Sequence, residues 1–207
     1  MTKVRRIKQV TRNKFLNYFE LEAESRAGGV FPYYMASRAE ETEHLYMKDP
    51  GRSPDGVMIF AICGENRDKV VLIRQFRYPV GKHVYEFPAG LVEQGEDYHE
   101  AAVREMKEET GLDLKIIPAD PMYEQAMFTS DGMSDERCCV VFGIAEGDVS
   151  AAGLEGTEDV EVVIADREQA GQILKNGPLA LMCGYMLMHF LKDRENPFPF
   201  PWDGSLE

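Results

Sequence analysis

The stretch VREMKEETGL, residues 103–112, contains the glutamates Glu105, Glu108 and Glu109. On a helix, residues three and four apart lie on the same side, so Glu105 neighbours both of the others. Like charges at this spacing destabilise a helix by about 0.2–0.5 kcal/mol per pair. A hard divalent cation such as Mg²⁺, which binds carboxylate oxygens, would turn that cost into binding energy. The spacing is compatible with a metal site, but most charge runs are solvated helix faces, so the flanking residues must decide between the two.

The elements that would position these glutamates are a helix and the loop before it. A helix is predicted over residues 97–110, because Gly111 is typical of the residue that follows a helix. The predicted apolar arc of this helix consists of Tyr98, Ala102, Val103, Met106 and Thr110. The glutamates lie beside the arc, where partial burial is expected, and Arg104 would offset their charge only in part. Gly90 lets the backbone approach closely, which would leave the carbonyl of Ala89 facing a metal.

Gly90, Glu96 and the run Arg104–Leu112 match the signature of the Nudix hydrolases at every specified position, and the chain resembles that family. The resemblance implies an α/β fold, namely an α/β/α sandwich with a mixed sheet, which binds Mg²⁺ or Mn²⁺. It implies cleavage of a nucleoside diphosphate linked to another moiety, by direct attack of water. Metal ions would neutralise the diphosphate and activate the water. By matching position, the implied metal ligands are Glu105, Glu108, Glu109 and the Ala89 carbonyl. Arg104 would orient the glutamates, and Glu96 would support the loop.

Beyond the signature, the chain resembles the ADP-ribose pyrophosphatase (ADP-sugar) branch of the family. The similar segments are RQFRYP (74–79) with YEFPAG after it, TSDGMSDERCC (129–139) and GTEDVEVVIADREQA (156–170). In that branch the N-terminal β unit exchanges across a homodimer and helps to clamp the base. One departure is Ser130–Asp131–Gly132, where the branch usually has Ser-Pro-Gly. The missing proline often marks a preference for ADP-ribose, so other nucleoside diphosphate sugars stay open.

Substrate-binding residues are expected in several segments, with ordinary packing or surface roles as the alternative for each. The candidates for the diphosphate or the terminal ribose are Arg38, Arg77 and Arg74. The candidates for stacking on the base are Tyr33, Tyr34 and Phe19. The residues that fit the loop after the signature are Gly132, Ser134 and Glu136. A general base is expected in the acidic loop 154–159, as Glu158 or Glu155.

Composition narrows the classes of protein further. Lys plus Arg is 23 and Asp plus Glu is 36, so the formal net charge of −13 argues against binding the phosphates of nucleic acid. No apolar run approaches the roughly 20 residues that a membrane span needs. The basic N-terminus lacks the apolar stretch of a secretory signal. The four cysteines lack metal-ligand spacing and are predicted to be buried, as in a reducing compartment, so the cytoplasm is the expected location.

Three regions are predicted along the chain. Residues 1–50 form a small antiparallel β unit for dimerisation and substrate clamping, in which Pro32 favours an edge strand. Residues 51–195 form the hydrolase domain, and 196–207 a tail rich in proline and aromatic residues that packs over a surface or a partner. Strands are predicted at 57–63, 69–76, 84–90, 114–118, 123–128, 138–145 and 160–164, and further helices at 166–177 and 179–193. The alternative functions are a Nudix hydrolase of a GDP-sugar, a dinucleotide or a nucleoside triphosphate, and a ligand sensor without turnover.

Overall fold

The computed structural model describes residues 3–150, 152–154 and 159–202. The chain forms two compact units. The first unit comprises the residues up to Asp55 together with Ala126–Cys138. The second unit comprises Gly56–Gln125 and the chain from Cys139 onward. The sequence prediction had placed 126–138 in the same domain as the rest of 51–195.

The first unit is built on an antiparallel three-stranded sheet in the order β1 (Lys3–Gln9), β2 (Asn17–Glu24), β3 (Val30–Ser37). Side chains of β2 alternate between buried and exposed, as expected for a strand with one covered face. The buried cluster of this unit consists of Phe19, Leu21, Met35, Ala39 and Leu45. Pro32 lies on the edge strand β3, as its missing N–H predicts.

The segment 126–138 joins this unit through main-chain hydrogen bonds. The N–H of Ala36 donates to the carbonyl of Met133 at 2.9 Å. Strand β9 (Met127–Phe128) pairs with the first two residues of β10 (Arg137–Glu146). These bonds fix the loop that carries Gly132 and Glu136 within the first unit.

The second unit is a sheet covered by helices on both faces. Its strands are β4 (Gly56–Cys63), β5 (Lys69–Arg77), β6 (Lys82–Glu86), β7 (Ala89–Leu91), β8 (Asp113–Ile116) and β11 (Val160–Ala165), with most of β10. Its helices are α1 (Tyr98–Thr110), α2 (Pro121–Glu124), α3 (Arg167–Asn176) and α4 (Leu181–Lys192). The central order is β11-β5-β4-β10-β8, while β6 pairs with β5 and β7 with β4.

The alternation of β4 shows how the layers are arranged. Val57 and Ile59 pack in the same cluster as Ala102 and Met106 of α1. Phe60 and Ile62, on the other face, pack with residues of α3 and α4. The predicted α/β/α sandwich with a mixed sheet, preceded by a small antiparallel β unit, is therefore confirmed.

Three local predictions were wrong. Of the strand predicted at 123–128, Met127–Phe128 alone forms a strand, because Asp120 caps α2 and Pro121 starts it. The strand predicted at 84–90 is divided into β6 and β7 at Phe87 and Pro88. Phe198 of the tail is fully buried in the core of the second unit, not laid over a surface. Within the described ranges, no helix is long and apolar enough to cross a membrane.

Candidate active site

Helix α1 carries the glutamates and is fixed at both ends. Asp97 caps its start by accepting a hydrogen bond from the N–H of His99, and Gly111 ends it at φ 77°. A left-handed backbone of this kind favours glycine. Val103 was predicted on the apolar arc, but it is 41% exposed, whereas Ala101 is fully buried. The buried face of α1 therefore includes Ala101 and Glu109, and Val103 lies outside it.

Glu105 lies directly against the backbone of Gly90. A Cβ atom placed on Gly90 would be 1.8 Å from Cδ of Glu105 and 2.0 Å from its Oε1. Pairing of β7 with β4, which sets Gly90 opposite Val57, holds this backbone in place. The carboxylate therefore occupies the space that a side chain at position 90 would fill.

Glu109 is the most buried of the three signature glutamates, at 4% exposed. Its Oε2 accepts a hydrogen bond from the N–H of Ala89 at 3.0 Å. Burial of a carboxylate is costly unless hydrogen bonds or a cation compensate it. The sequence predicted that the carbonyl of Ala89 takes part in the site. The structure shows that its N–H does so through Glu109.

Arg104 connects the loop to the helix. Its Nε and Nη2 donate to the two carboxylate oxygens of Glu96, at 2.9 and 3.0 Å. Its Nη1 lies 2.7 Å from Oε1 of Glu105 and 3.2 Å from Oε2 of Glu108. The hydrogen bonds to Glu96 raise the pKa of Arg104, and the same bonds, with the N–H of Glu93, lower the pKa of Glu96. Arg104 therefore compensates three carboxylates, more than the helical wheel suggested.

The donor chemistry of this group fits a hard cation. The carboxylates of Glu105 and Glu108 both lie close to Nη1 of Arg104. The three signature glutamates offer carboxylate oxygens, which Mg²⁺ and Mn²⁺ prefer. No three acidic, thiol or imidazole groups of the described ranges are already gathered as a metal site. Two of the signature carboxylates face Arg104, and the third faces the Ala89 amide. Metal binding would require Arg104 to share these oxygens.

Four of the predicted substrate residues lie together in the first unit. Arg38 Nε donates to Oε1 of Glu136 at 2.6 Å. The hydroxyl of Tyr33 donates to the carbonyl of Gly132 at 2.6 Å, while 41% of the residue stays exposed. Phe19, a third stacking candidate, is fully buried in the core of this unit, so that prediction was wrong.

The other two predicted arginines belong to the second unit and pair with different carboxylates. Arg77 binds Glu86 with two hydrogen bonds, at 2.8 and 2.6 Å. Arg74 pairs at the surface with Glu161, at 3.2 Å. The two candidate bases, Glu155 and Glu158, lie outside the described residues.

One cluster near the start of α1 was not predicted. His99 places Nδ1 3.0 Å from Oδ1 of Asp97 and Nε2 3.1 Å from Oε2 of Glu124. The hydroxyl of Tyr98 also donates to Glu124, and burial, followed by the Glu124 charge, raises the pKa of Tyr98 to about 12. The Asp97–His99 spacing was visible in the sequence. Glu124 was not, because its segment was predicted as a strand.

Comparison with known proteins identifies the class that this fold and carboxylate-bearing helix define. A family model described as "NUDIX domain" matches residues 52–178. A solved structure titled "Crystal structure of ADP compounds hydrolase" has a TM-score of 0.62 at 18% identity, covering 92% of this chain and 94% of the other. That likeness concerns the fold. The chain belongs to the Nudix family.

Two curated relatives are similar to this chain over part of their length. It is 35% identical over 126 residues to the methanol dehydrogenase activator of Bacillus methanolicus, covering 60% of this chain and 64% of that protein. It is 37% identical over 115 residues to the ADP-ribose pyrophosphatase of Saccharomyces cerevisiae, covering 52% of this chain and 48% of that protein. The matched region thus spans less than two thirds of either relative.

Proposed function

We propose that this protein hydrolyses the diphosphate linkage of ADP-ribose, or of a related nucleoside diphosphate sugar, to a nucleoside monophosphate and a sugar phosphate. The observation that carries the proposal is the geometry around Arg104. Glu105 and Glu108 both lie within 3.2 Å of one cationic nitrogen, and Glu109 is buried on the same helix. Membership of the Nudix family and similarity to an ADP-ribose pyrophosphatase support it.

The residues that would hold Mg²⁺ or Mn²⁺ are Glu105, Glu108 and Glu109, with the carbonyl of Ala89. When bound, the ion would neutralise the diphosphate and lower the pKa of the attacking water. The chain's own contribution is positioning. Arg104 holds the carboxylates of Glu105 and Glu108, and Glu96 holds Arg104 in turn.

Water attacks directly in the proposed reaction, without a covalent intermediate. Phosphoryl transfer depends mainly on positioning and on stabilisation of charge, so the reaction needs no covalent nucleophile. Glu158 or Glu155 is the proposed acceptor of the proton from water. Arg38, Arg77 and Arg74 are the proposed contacts for the diphosphate or the terminal ribose, and Tyr33 the proposed platform for the base.

The pairings seen in the first unit bear on how substrate would bind. Arg38 donates to Glu136, so binding a phosphate through Arg38 requires the anion to compete with that carboxylate. Tyr33 is 41% exposed, while its hydroxyl donates to the Gly132 carbonyl. We therefore expect Tyr33 to contribute its ring to a base and its hydroxyl to the loop.

A substrate panel tests the proposal. The full chain is incubated with Mg²⁺ and ADP-ribose, a GDP-sugar, a dinucleotide or a nucleoside triphosphate, and the products are scored by ³¹P NMR. Release of AMP and ribose 5-phosphate from ADP-ribose is the expected result. Faster turnover of another compound would replace the substrate while keeping the chemistry, and no turnover of any would leave a ligand sensor.

The proposal includes a homodimer formed through the N-terminal β unit, in the reducing environment of the cytoplasm. Exposed aromatic side chains of this unit, Tyr18 and Tyr34, stack on each other at 5.9 Å between centroids. Sedimentation equilibrium at micromolar concentration is expected to give twice the mass of the chain. A monomer mass would remove the dimer from the proposal without affecting the chemistry.

A further inference from the structure

Ser150 and Gly153 both lie against the last turn of α1. The N–H of Ser150 donates to the carbonyl of Thr110 at 2.9 Å. The hydroxyl oxygen of Ser150 accepts a hydrogen bond from the N–H of Ala152 at 3.2 Å. The last four carbonyls of a helix have no partner within it, so Ser150 satisfies a group that would otherwise need water.

Gly153 lies close to the main chain of the helix. A Cβ atom built on Gly153 would lie 2.6 Å from the carbonyl oxygen of Glu108, 2.8 Å from its Cα and 3.1 Å from its carbonyl carbon. All three are main-chain atoms, so no side chain can rotate away to make room. The backbone of Gly153 therefore lies directly on the residue whose carboxylate faces Arg104.

This contact, and not backbone conformation, makes glycine necessary at position 153. Gly111 and Gly147 of the same unit have φ values of 77° and 101°, where glycine is favoured for its conformation. Gly153 is not among the residues with positive φ. Alanine could adopt its backbone angles, so the substitution would disturb the approach to Glu108 and little else.

We propose that Gly153 is a positioning residue for the metal-binding turn of α1: its bare backbone lies against the main chain of Glu108 and so helps to fix that turn. The inference rests on the proposed function, because it assumes that Glu108 binds a divalent ion. Groups that orient metal ligands change metal affinity by about 10- to 100-fold when they are lost. A methyl group at position 153 must displace either the backbone at that position or the helical turn that carries Glu108.

The test compares metal affinity in variants of the full chain. Titration calorimetry with Mn²⁺ is carried out on the wild type, Gly153→Ala and Gly171→Ala. Gly171 lies in α3, and a Cβ atom there would meet nothing within 4 Å, so it serves as the matched glycine-to-alanine control. We expect Gly153→Ala to bind Mn²⁺ about 10- to 100-fold more weakly, and Gly171→Ala to bind it like the wild type.

A second readout separates positioning from a loss of folding. Raising the Mg²⁺ concentration is expected to restore turnover of Gly153→Ala with ADP-ribose, because the glutamates themselves are unchanged. A folded Gly153→Ala that binds Mn²⁺ within twofold of the wild type would overturn the inference. If Gly153→Ala does not fold, an NMR titration of the wild type with Mg²⁺ tests the inference instead. The amide resonances of Gly153 and Ser150 should shift during a Mg²⁺ titration in step with that of Glu108, and their failure to move would overturn it.

Failure of the inference and failure of the proposed function give different results. A wild type that binds neither ion and cleaves no nucleotide refutes the proposed function. A wild type that binds Mn²⁺ and cleaves substrate, beside a Gly153→Ala variant that equals it, refutes the role of Gly153 alone.

Discussion

Replacement of Glu109 by glutamine separates the charge of the buried carboxylate from its role in packing. Glutamine has nearly the same size as glutamate. It keeps an oxygen that can accept the hydrogen bond from the N–H of Ala89, which lies 3.0 Å from Oε2 of Glu109 in the wild type. What it removes is one negative charge on a residue that is 4% exposed. The variant should therefore keep its fold and lose the ability to hold a cation at that position.

The two effects differ in expected size. A hydrogen bond to a charged group contributes about 1.5–3 kcal/mol and one between neutral groups about 0.5–1.5 kcal/mol, so the free energy of unfolding should fall by roughly 1 kcal/mol. Polarisation by a bound metal supplies several kcal/mol to a transition state. Since 1.36 kcal/mol is tenfold in rate, the loss of a ligand should lower kcat by about 100-fold or more.

The assay is release of AMP from ADP-ribose in the presence of Mg²⁺, measured by chromatography, beside urea unfolding of the same samples. Glu100→Gln is the matched control, because Glu100 is an exposed residue in the first turn of the same helix. Glu100→Gln should leave both quantities near the wild type. A Glu109→Gln variant with kcat within fivefold of the wild type would refute the assignment of Glu109 as a metal ligand.

Three further predictions concern the fold and the groups around the site. The pKa of Glu96 is lowered chiefly by Arg104. Its contribution to stability is therefore present above the ordinary glutamate pKa and lost as pH falls through the lowered value, so Glu96→Gln should flatten the pH dependence of urea unfolding in acid. Phe198→Ala should lower the free energy of unfolding by about 3–5 kcal/mol, because Phe198 is fully buried. Burial raises the pKa of the Cys183 thiol to about 12, so iodoacetamide should label Cys183 in native protein far more slowly than in urea.

Each of these has an outcome that would contradict it. An acid-unfolding profile of Glu96→Gln that matches the wild type would mean that the pair with Arg104 does not stabilise the fold. Phe15→Ala, at a residue 61% exposed, is the control for Phe198→Ala, and equal stability losses would contradict burial of the tail. Labelling of Cys183 at the same rate in both conditions would contradict a buried thiol.

The parts of the fold and site that sequence predicts well depend on local spacing. The start and end of α1 follow from Asp97 and Gly111, whose capping roles involve neighbouring residues alone. Strands β4 and β5 are long apolar runs with a polar turn between them, so their positions needed no tertiary information. The same locality explains why three glutamates at helical spacing suggest a candidate site.

The parts that sequence missed depend on partners distant in the chain. The hydroxyl of Tyr33 donates to the carbonyl of Gly132, which is 99 positions away in the chain, and neither segment has a sequence pattern that predicts this hydrogen bond. Phe198 was assigned to a tail, because the prolines and aromatic residues around it do not reveal the core cluster that it joins. The approach of Gly153 to Glu108 is likewise invisible without coordinates, since an acceptable backbone angle gives no reason to expect glycine.

The guanidinium of Arg104 acts as an internal counter-ion, so we expect helix α1 to stay folded when a chelator removes divalent ions. Repulsion among Glu96, Glu105 and Glu108 is already compensated by a group that cannot diffuse away. Removal of divalent ions with EDTA should therefore abolish turnover while leaving the helix intact, so that activity returns on simple re-addition of the ion, without refolding.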